Sequence, residues 1–160
     1  MSNTKFIFHP LSAEFQNINF PRLYWKANYK WCLLYSGSTN QNATWTTVAP
    51  QGLSPSTMRA YIYWTCSVDT GDVDWDIGIE SIAEGEDVGY DNSFDTANSA
   101  DNNNVPGNIN YLEITEVDLN NYDGMQPGEV IRFRLTRDAV SDTSTGFAEV
   151  YALEIRDNAD

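Results

Sequence analysis

Histidine and cysteine are scarce in this sequence, which holds one histidine and two cysteines among 160 residues. These side chains supply most catalytic bases, thiol nucleophiles and zinc ligands in proteins. The single histidine, His9, stands beside Pro10, and no second histidine is present to complete a zinc triad. Phosphate-binding loops, dinucleotide-binding fingerprints and the Gly-x-Ser-x-Gly motif of hydrolases are absent as well. We therefore predict a chain that is not an enzyme and that uses no cofactor and no metal.

Basic residues are also few. The chain has 9 Lys and Arg against 23 Asp and Glu, for a formal net charge of −14, and no basic residue lies between Ala60 and Ile131. Such a chain repels a phosphate backbone and an anionic bilayer, so we expect no nucleic-acid and no membrane partner. No apolar run has the length of a membrane-spanning helix, and the N-terminus lacks the pattern of a secretory signal. The many acids leave open a glycosidase-type pair of carboxylates, although the sequence singles out no such pair.

The two cysteines, Cys32 and Cys66, both stand among apolar and aromatic residues. Neither has a basic cluster beside it that would lower the pKa of its thiol. We therefore expect two small buried side chains in the reduced state, and nothing in the sequence requires them to pair.

Alternating apolar and polar residues are the dominant pattern from Leu23 onward. In Met58 to Val68 and in Glu129 to Arg137 the alternation has a period of two, which predicts strands with one buried face. No window shows a helical stripe, and about seven or eight strands of this kind predict an all-β sandwich or barrel. Six alternating side chains are predicted to share its core: Ile62, Trp64, Trp75, Ile77, Phe133 and Leu135.

Two further segments shape the predicted organisation. The turn-like Asp69 to Asp72 separates Met58 to Val68 from a second alternating run, which predicts an antiparallel hairpin. The stretch from Gly85 to Asn108 is rich in Asp and Asn and shows no periodicity, so it is predicted to be a long loop that is either functional or mobile. Its oxygen-bearing side chains leave an ion site open. The acids of Asp72 to Asp76 do not continue as an EF-hand calcium loop, so strand alternation explains them better.

The first 22 residues break the strand pattern. Prolines and aromatic residues are scattered through this segment without a regular period. This predicts residues 1–22 as an extended N-terminal arm and residues 23–160 as the β-domain. The aromatic side chains of such an arm need a partner, which is either the body of the same chain or a neighbouring chain. We expect contacts with another chain to order the arm, and its predicted interface residues are Phe6, Phe8, Phe15 and Phe20.

Two groups of side chains are candidates for binding. One is a set of aromatic residues that either forms a stacking platform for sugars or packs beneath a neighbouring subunit: Tyr24, Trp25, Tyr29, Trp31, Trp45, Tyr61 and Tyr63. The other is a short basic ladder on an otherwise acidic chain. We expect it to pair with acids on the adjacent strand or on another protomer, with a glycan carboxylate as the alternative: Arg132, Arg134 and Arg137.

The order and spacing of several short motifs resemble those of small bacteriophage virion proteins. The motifs are Trp45 with Val48-Ala49-Pro50, Tyr63-Trp64, Gly71-Asp72-Val73-Asp74-Trp75, Pro106-Gly107, Gly128 to Leu135, and Arg137-Asp138. The resemblance implies a jelly-roll β-sandwich that serves as a capsid decoration, or cement, protein. It further implies a homotrimer on the virion exterior that binds and stabilises the major capsid protein lattice. The alternative on the same fold is a tail-associated module that binds a glycan or a receptor.

Overall fold

Two antiparallel β-sheets packed face to face account for most of the chain. The computed structural model describes residues 3–89 and 93–157. Two short 3-10 turns, Pro10–Ser12 and Pro55–Thr57, are the helical elements of this part of the chain. The strands are β1 (Asn3–Phe8), β2 (Arg22–Lys26), β3 (Lys30–Tyr35), β4 (Gln41–Val48), β5 (Met58–Cys66), β6 (Asp72–Ile82), β7 (Asn98–Asn104), β8 (Glu113–Asp118), β9 (Val130–Arg137) and β10 (Ala148–Asp157). The predicted antiparallel β-sandwich of jelly-roll type is confirmed.

The core lies between a six-stranded and a four-stranded sheet. The first sheet has the order β2-β3-β10-β5-β8, with β1 also paired to β10, and the second has the order β4-β9-β6-β7. All six side chains predicted for the core are fully buried. The rings of Trp64 and Trp75, one from each sheet, meet edge to face with their centroids 5.7 Å apart. This contact joins the two sheets at the centre of the sandwich.

The predicted hairpin of β5 and β6 is wrong. β5 pairs with β10 and β8 in the first sheet, whereas β6 pairs with β9 and β7 in the second. The turn between them therefore crosses from one sheet to the other. Alternation indicates which face of a strand is buried but not what buries it. Here the apolar faces of β5 and β6 bury each other across the core.

Strand β7 occupies part of the stretch from Gly85 to Asn108, which was predicted to be a loop. It pairs with β6 at the edge of the second sheet. Its residues have low strand propensity and show no apolar alternation, so the sequence pattern does not reveal it. The amide of Asn98 donates hydrogen bonds to the backbone carbonyls of Ile77 (3.2 Å) and Asn121 (2.8 Å), and these bonds anchor the strand.

The N-terminal residues pack on their own chain, which differs from the predicted arm. β1 pairs with β10, and the ring of Phe8 lies 5.5 Å from that of Phe133 and 5.8 Å from that of Trp45. Farther along, the backbones of Glu14 and Thr44 exchange two hydrogen bonds of 2.7 and 3.0 Å at the edge of β4. These sheet edges offer unpaired backbone groups that the segment satisfies. The first part of the segment is therefore a strand of the six-stranded sheet, and the rest lies along the edge of β4.

Among residues 3–89 and 93–157, no helix has the length and hydropathy needed to span a bilayer.

Candidate functional site

The outer face of the six-stranded sheet has a fork at the middle of β10. β3 pairs with β10 as far as Val150, and β1 takes over the same edge from Leu153. On the other side of β10, the register with β5 shifts between Val150 and Ala152. Tyr151 is the extra residue of this bulge. A bulge redirects side chains at the point where strands part, and Tyr151 is presented there on the outer face.

Two adjoining depressions lie at this fork. The larger, of about 440 Å³, is lined by Lys30, Tyr63, Thr65, Asn110, Leu112 and Tyr151. The smaller, of about 390 Å³, is lined by His9, Leu11, Tyr29, Lys30, Trp31 and Tyr151. Lys30 and Tyr151 line both depressions, and we call the surface that these two residues form between the depressions the ridge. Both volumes are in the usual range for small-molecule sites.

The ring of Tyr63 in the larger depression is held by a buried carboxylate. Its phenol donates a 2.7 Å hydrogen bond to Oε2 of Glu154, which also accepts a bond of 2.8 Å from Arg156. The bond from Arg156 is the main reason that the pKa of Glu154 falls to about 2. The bond to Glu154 in turn raises the pKa of Tyr63. At neutral pH this site therefore holds an ionised carboxylate and a neutral phenol.

Tyr151 has an equivalent support in Glu149. This buried carboxylate accepts hydrogen bonds from Tyr151 (3.1 Å) and Thr65 (2.8 Å), and it forms an ion pair with Lys26. Burial raises the pKa of Tyr151 to about 12, so its phenol stays neutral. Burial likewise raises the pKa of the neighbouring Cys32 thiol to about 12. Each of the two tyrosines is thus fixed by its own buried glutamate.

The tip of the β2–β3 hairpin forms the outer rim of the smaller depression. The ring of Trp25 lies 4.8 Å from that of Trp31 and 5.5 Å from that of Tyr29. Trp25 and Tyr29 are exposed, and Trp31 is partly exposed. The rim is therefore a small aromatic cluster that opens to solvent beside the ridge at Tyr151.

The structure brings together only part of the predicted aromatic platform. Tyr29, Trp31 and Tyr63 line the two depressions, and Trp25 supports Tyr29. Trp45 belongs to the core instead, where its indole donates a 3.0 Å hydrogen bond to the carbonyl of His9. The remaining two members, Tyr24 and Tyr61, line neither depression.

The predicted basic ladder divides into separate environments. Arg132 pairs with Glu80 on the adjacent strand at 2.8 Å, one of the two outcomes predicted for it. Arg134 lies over the ring of Phe94, 4.1 Å from its centroid, and desolvation lowers its pKa. Arg137 is fully buried and pairs with Asp142 at 2.7 Å. A buried guanidinium is not available to another chain, so Arg137 is removed from the predicted interface.

The four predicted interface phenylalanines also separate. Phe6 and Phe8 stack on each other at 5.7 Å, and Phe8 is buried in the core. Phe15 and Phe20 contact each other at 5.7 Å and stay about two-fifths exposed, at 41% and 39%. Only this second pair is presented to solvent.

Sequence reasoning missed four of the residues that build the site, namely Lys30, Glu149, Tyr151 and Glu154. The signal available was the placement of two glutamates inside β10, a strand whose other residues are mostly apolar. A buried carboxylate is costly unless it is paired, so acids in such a strand indicate specific partners. Those partners, Tyr63 and Lys26, come from distant parts of the chain and cannot be read from β10 alone.

The acidic segments show no metal-binding arrangement. Within residues 3–89 and 93–157, no group of three or more His, Cys, Asp or Glu side chains could hold a metal ion. The acids of β6 lie on its outer side, as strand alternation predicted. Asp74 accepts a 2.6 Å hydrogen bond from the backbone of Asn102, and Asp76 accepts one from Ser99. Both cysteines are buried, as predicted, and both are free.

Comparison with known proteins reveals likeness in structure only. No protein-family model and no curated protein matches the chain. Among solved structures, the CBM22-1 xylan-binding domain of Paenibacillus barcinonensis Xyn10C is similar with a TM-score of 0.54 and 10% sequence identity, over 99% of this chain and 97% of that domain. TmCBM27, a carbohydrate-binding module that recognises mannan, gives a TM-score of 0.48 and 10% identity, over 99% of each chain. The chain therefore shares the β-sandwich fold of the xylan-binding domain.

Proposed function

We propose that this chain is a non-catalytic carbohydrate-binding module that binds a neutral polysaccharide on the outer face of its six-stranded sheet. The observation that carries the proposal is the pair Tyr63 and Tyr151. Each ring lines the larger depression, and each phenol is held by a buried glutamate. Rings that are fixed before binding lose little conformational entropy when a ligand arrives.

The composition of the larger depression suits a sugar ring. A pyranose has an apolar C–H face, which packs on an aromatic ring, and a rim of hydroxyl groups, which need hydrogen-bond partners. Tyr63, Tyr151 and Leu112 offer the apolar surface, while Lys30 and Asn110 offer polar groups. The two buried carboxylates that hold these tyrosines, Glu149 and Glu154, already pair with Lys26 and Arg156. A neutral ligand leaves this charge balance intact.

The charge state of the site supports binding rather than hydrolysis. A glycosidase needs a carboxylic acid that keeps its proton at working pH, which requires a raised pKa. The pKa of Glu154 is instead lowered to about 2. Glu149 accepts hydrogen bonds from Tyr151 and Thr65 and is paired with Lys26, so it too serves as a support. The likeness in fold to a xylan-binding domain also favours this proposal.

Affinity electrophoresis through gels that contain soluble xylan, mannan or β-glucan tests the proposal. The unmodified chain should be retarded by at least one of these polysaccharides, and Tyr63→Ala with Tyr151→Ala should migrate as in a gel without polysaccharide. Tyr111→Ala is the matched control, because Tyr111 is exposed and lines neither depression. Reducing ends should not accumulate in the same mixtures. Free migration of the unmodified chain in every gel, or release of reducing ends, would contradict the proposal.

The second candidate is the capsid decoration protein, a homotrimer bound to the major capsid protein on the virion exterior. The observation that favours it is a set of exposed apolar side chains between Ile7 and Phe20, which another chain could cover: Ile7, Leu11, Phe15, Ile18 and Phe20. Sedimentation at micromolar concentration tests this candidate. A trimer that binds capsids and loses both properties in Phe15→Ser with Phe20→Ser would favour it, and an 18.0 kDa monomer would count against it.

A further inference from the structure

The backbone of Tyr29 adopts a conformation that tyrosine rarely occupies. Tyr29 has φ of 63°, in the left-handed region, and follows Asn28, which also has φ of 63°. Asparagine tolerates this region, but a bulky residue there is a genuine outlier that costs free energy. Glycine or asparagine would form the same turn with less strain. The choice of tyrosine therefore reduces stability at this position.

No burial within the chain compensates for this strain. The side chain of Tyr29 is 81% exposed, more than any other large hydrophobic residue described. Its aromatic contact is the edge-to-face approach of Trp25 at the hairpin tip. A strained residue that points into solvent suggests a function outside the folded chain, because sites of strain cluster where ligands bind.

The position of Tyr29 indicates what that function is. It stands on the rim of the smaller depression, while Lys30 and Tyr151 connect that depression to the larger one. Lys30 has no ion pair among the described residues, so its ammonium group is free to donate to a ligand on either side of the ridge. A ligand long enough to cross the ridge from Tyr63 would reach Tyr29.

We propose that Tyr29 is a binding residue of an outer subsite, and that the ligand is an oligosaccharide that spans both depressions. This inference rests on the proposed function and adds the length of the ligand to it. The first sugar unit packs on Tyr63 and Tyr151, and a further unit packs on Tyr29 and Trp31. Affinity should therefore rise with chain length until the ligand covers the rim.

Calorimetric titration with a ladder from disaccharide to hexasaccharide, drawn from the polysaccharide that binds, tests this inference. For the unmodified chain, affinity should increase along the ladder. For Tyr29→Asn, affinity for the hexasaccharide should fall about tenfold, as expected when one aromatic contact is lost, while affinity for the disaccharide stays unchanged. Tyr29→Phe keeps the ring and should bind like the unmodified chain.

Thermal unfolding of the same variants separates binding from folding. Because asparagine suits the left-handed conformation, Tyr29→Asn should unfold at the same or a higher temperature than the unmodified chain. A weaker affinity together with unimpaired stability would assign the ring to the ligand. If Tyr29→Asn binds every member of the ladder as the unmodified chain does, this inference is overturned and the proposed function stands. If the unmodified chain is retarded by none of the polysaccharides, no ladder can be drawn and both are overturned.

Discussion

The carboxylate of Glu154 accepts a 2.7 Å hydrogen bond from the phenol of Tyr63. Together with a second bond, from Thr4, this contact joins three strands of the six-stranded sheet. Glu154 lies on β10 and Tyr63 on β5, and the hydroxyl of Thr4 on β1 donates to the other carboxylate oxygen. Arg156 contributes the opposing charge at 2.8 Å. The group that orients the proposed binding residue is therefore also a group that stabilises the sheet.

This relationship predicts how stability depends on pH. The pKa of Glu154 is about 2 in the folded chain, against about 4.3 for an unfolded glutamate. Its contribution is therefore fully present above about pH 4.3 and is lost as the pH falls toward 2. Glu154→Gln should lower the free energy of unfolding by about 1.5–3 kcal/mol at pH 7, because hydrogen bonds to a charged group are replaced by neutral ones. Thermal melts followed by circular dichroism should show this difference shrink steadily below about pH 4. A difference that is independent of pH would contradict the assignment.

Removal of a tryptophan from the centre of the sandwich should have a large effect. Trp64 is fully buried and contacts Trp75 of the opposite sheet. Trp64→Ala is expected to lower the free energy of unfolding by about 3–5 kcal/mol through the cavity it leaves. Trp25→Ala, at a half-exposed tryptophan, is the control and should cost less than half as much. Equal losses in chemical denaturation would show that the core is placed incorrectly.

The ion pair of Arg137 and Asp142 should be a structural requirement. Besides forming this ion pair, the guanidinium of Arg137 donates hydrogen bonds to the carbonyls of Gly146 (2.6 Å) and Ser144 (2.7 Å). These bonds hold the loop that precedes β10 in place. Arg137→Met should cost about 3–5 kcal/mol of stability, because it leaves a buried carboxylate without its partner. Addition of Asp142→Leu should restore part of that loss. An Arg137→Met variant with unchanged urea unfolding would show that the pair does not support the fold.

Deletion of residues 1–20 should destabilise the sandwich itself. It removes β1 and the buried ring of Phe8, and it exposes the edge of β4. One buried phenylalanine alone contributes about 1.5–3 kcal/mol. We therefore expect a lower melting temperature and aggregation through the uncovered edges, seen by scanning calorimetry and light scattering. A truncated chain as stable as the full one would mean that the segment serves another chain.

The strands β5 and β9, and the buried face of each, could be predicted from the sequence. Burial of one face of a strand requires apolar side chains at every second position, and this alternation is visible in the sequence. The pairing of β5 with β10 and β8 leaves no such pattern, since partners far apart in sequence are chosen by packing. β7 was missed for a related reason, because hydrogen bonds made by Asn98 replace apolar contacts there.

The candidate site was predictable only in part, and for similar reasons. Tyr63 and Trp31 were recognised as members of the candidate aromatic platform on a strand-like background. Tyr151 was not, because the bulge at Val150 breaks the alternation that would have placed it. The support of Tyr63 depends on Glu154, which is 91 positions away, and the glutamate that supports Tyr151 is itself bonded to Thr65, which is 84 positions away. Contacts of that range exist only in the folded chain.

Amide chemical-shift mapping tests the proposed location of the sugar site, because it reports where a ligand binds on the whole chain. The 18.0 kDa protein, labelled with nitrogen-15, would be titrated with a neutral oligosaccharide drawn from the polysaccharide that retards it most in gels. The largest saturable shifts should fall at Lys30, Tyr63 and Tyr151, with smaller ones at Tyr29. Shifts confined to the opposite sheet around Phe94, or to the exposed pair Phe15 and Phe20, would contradict it.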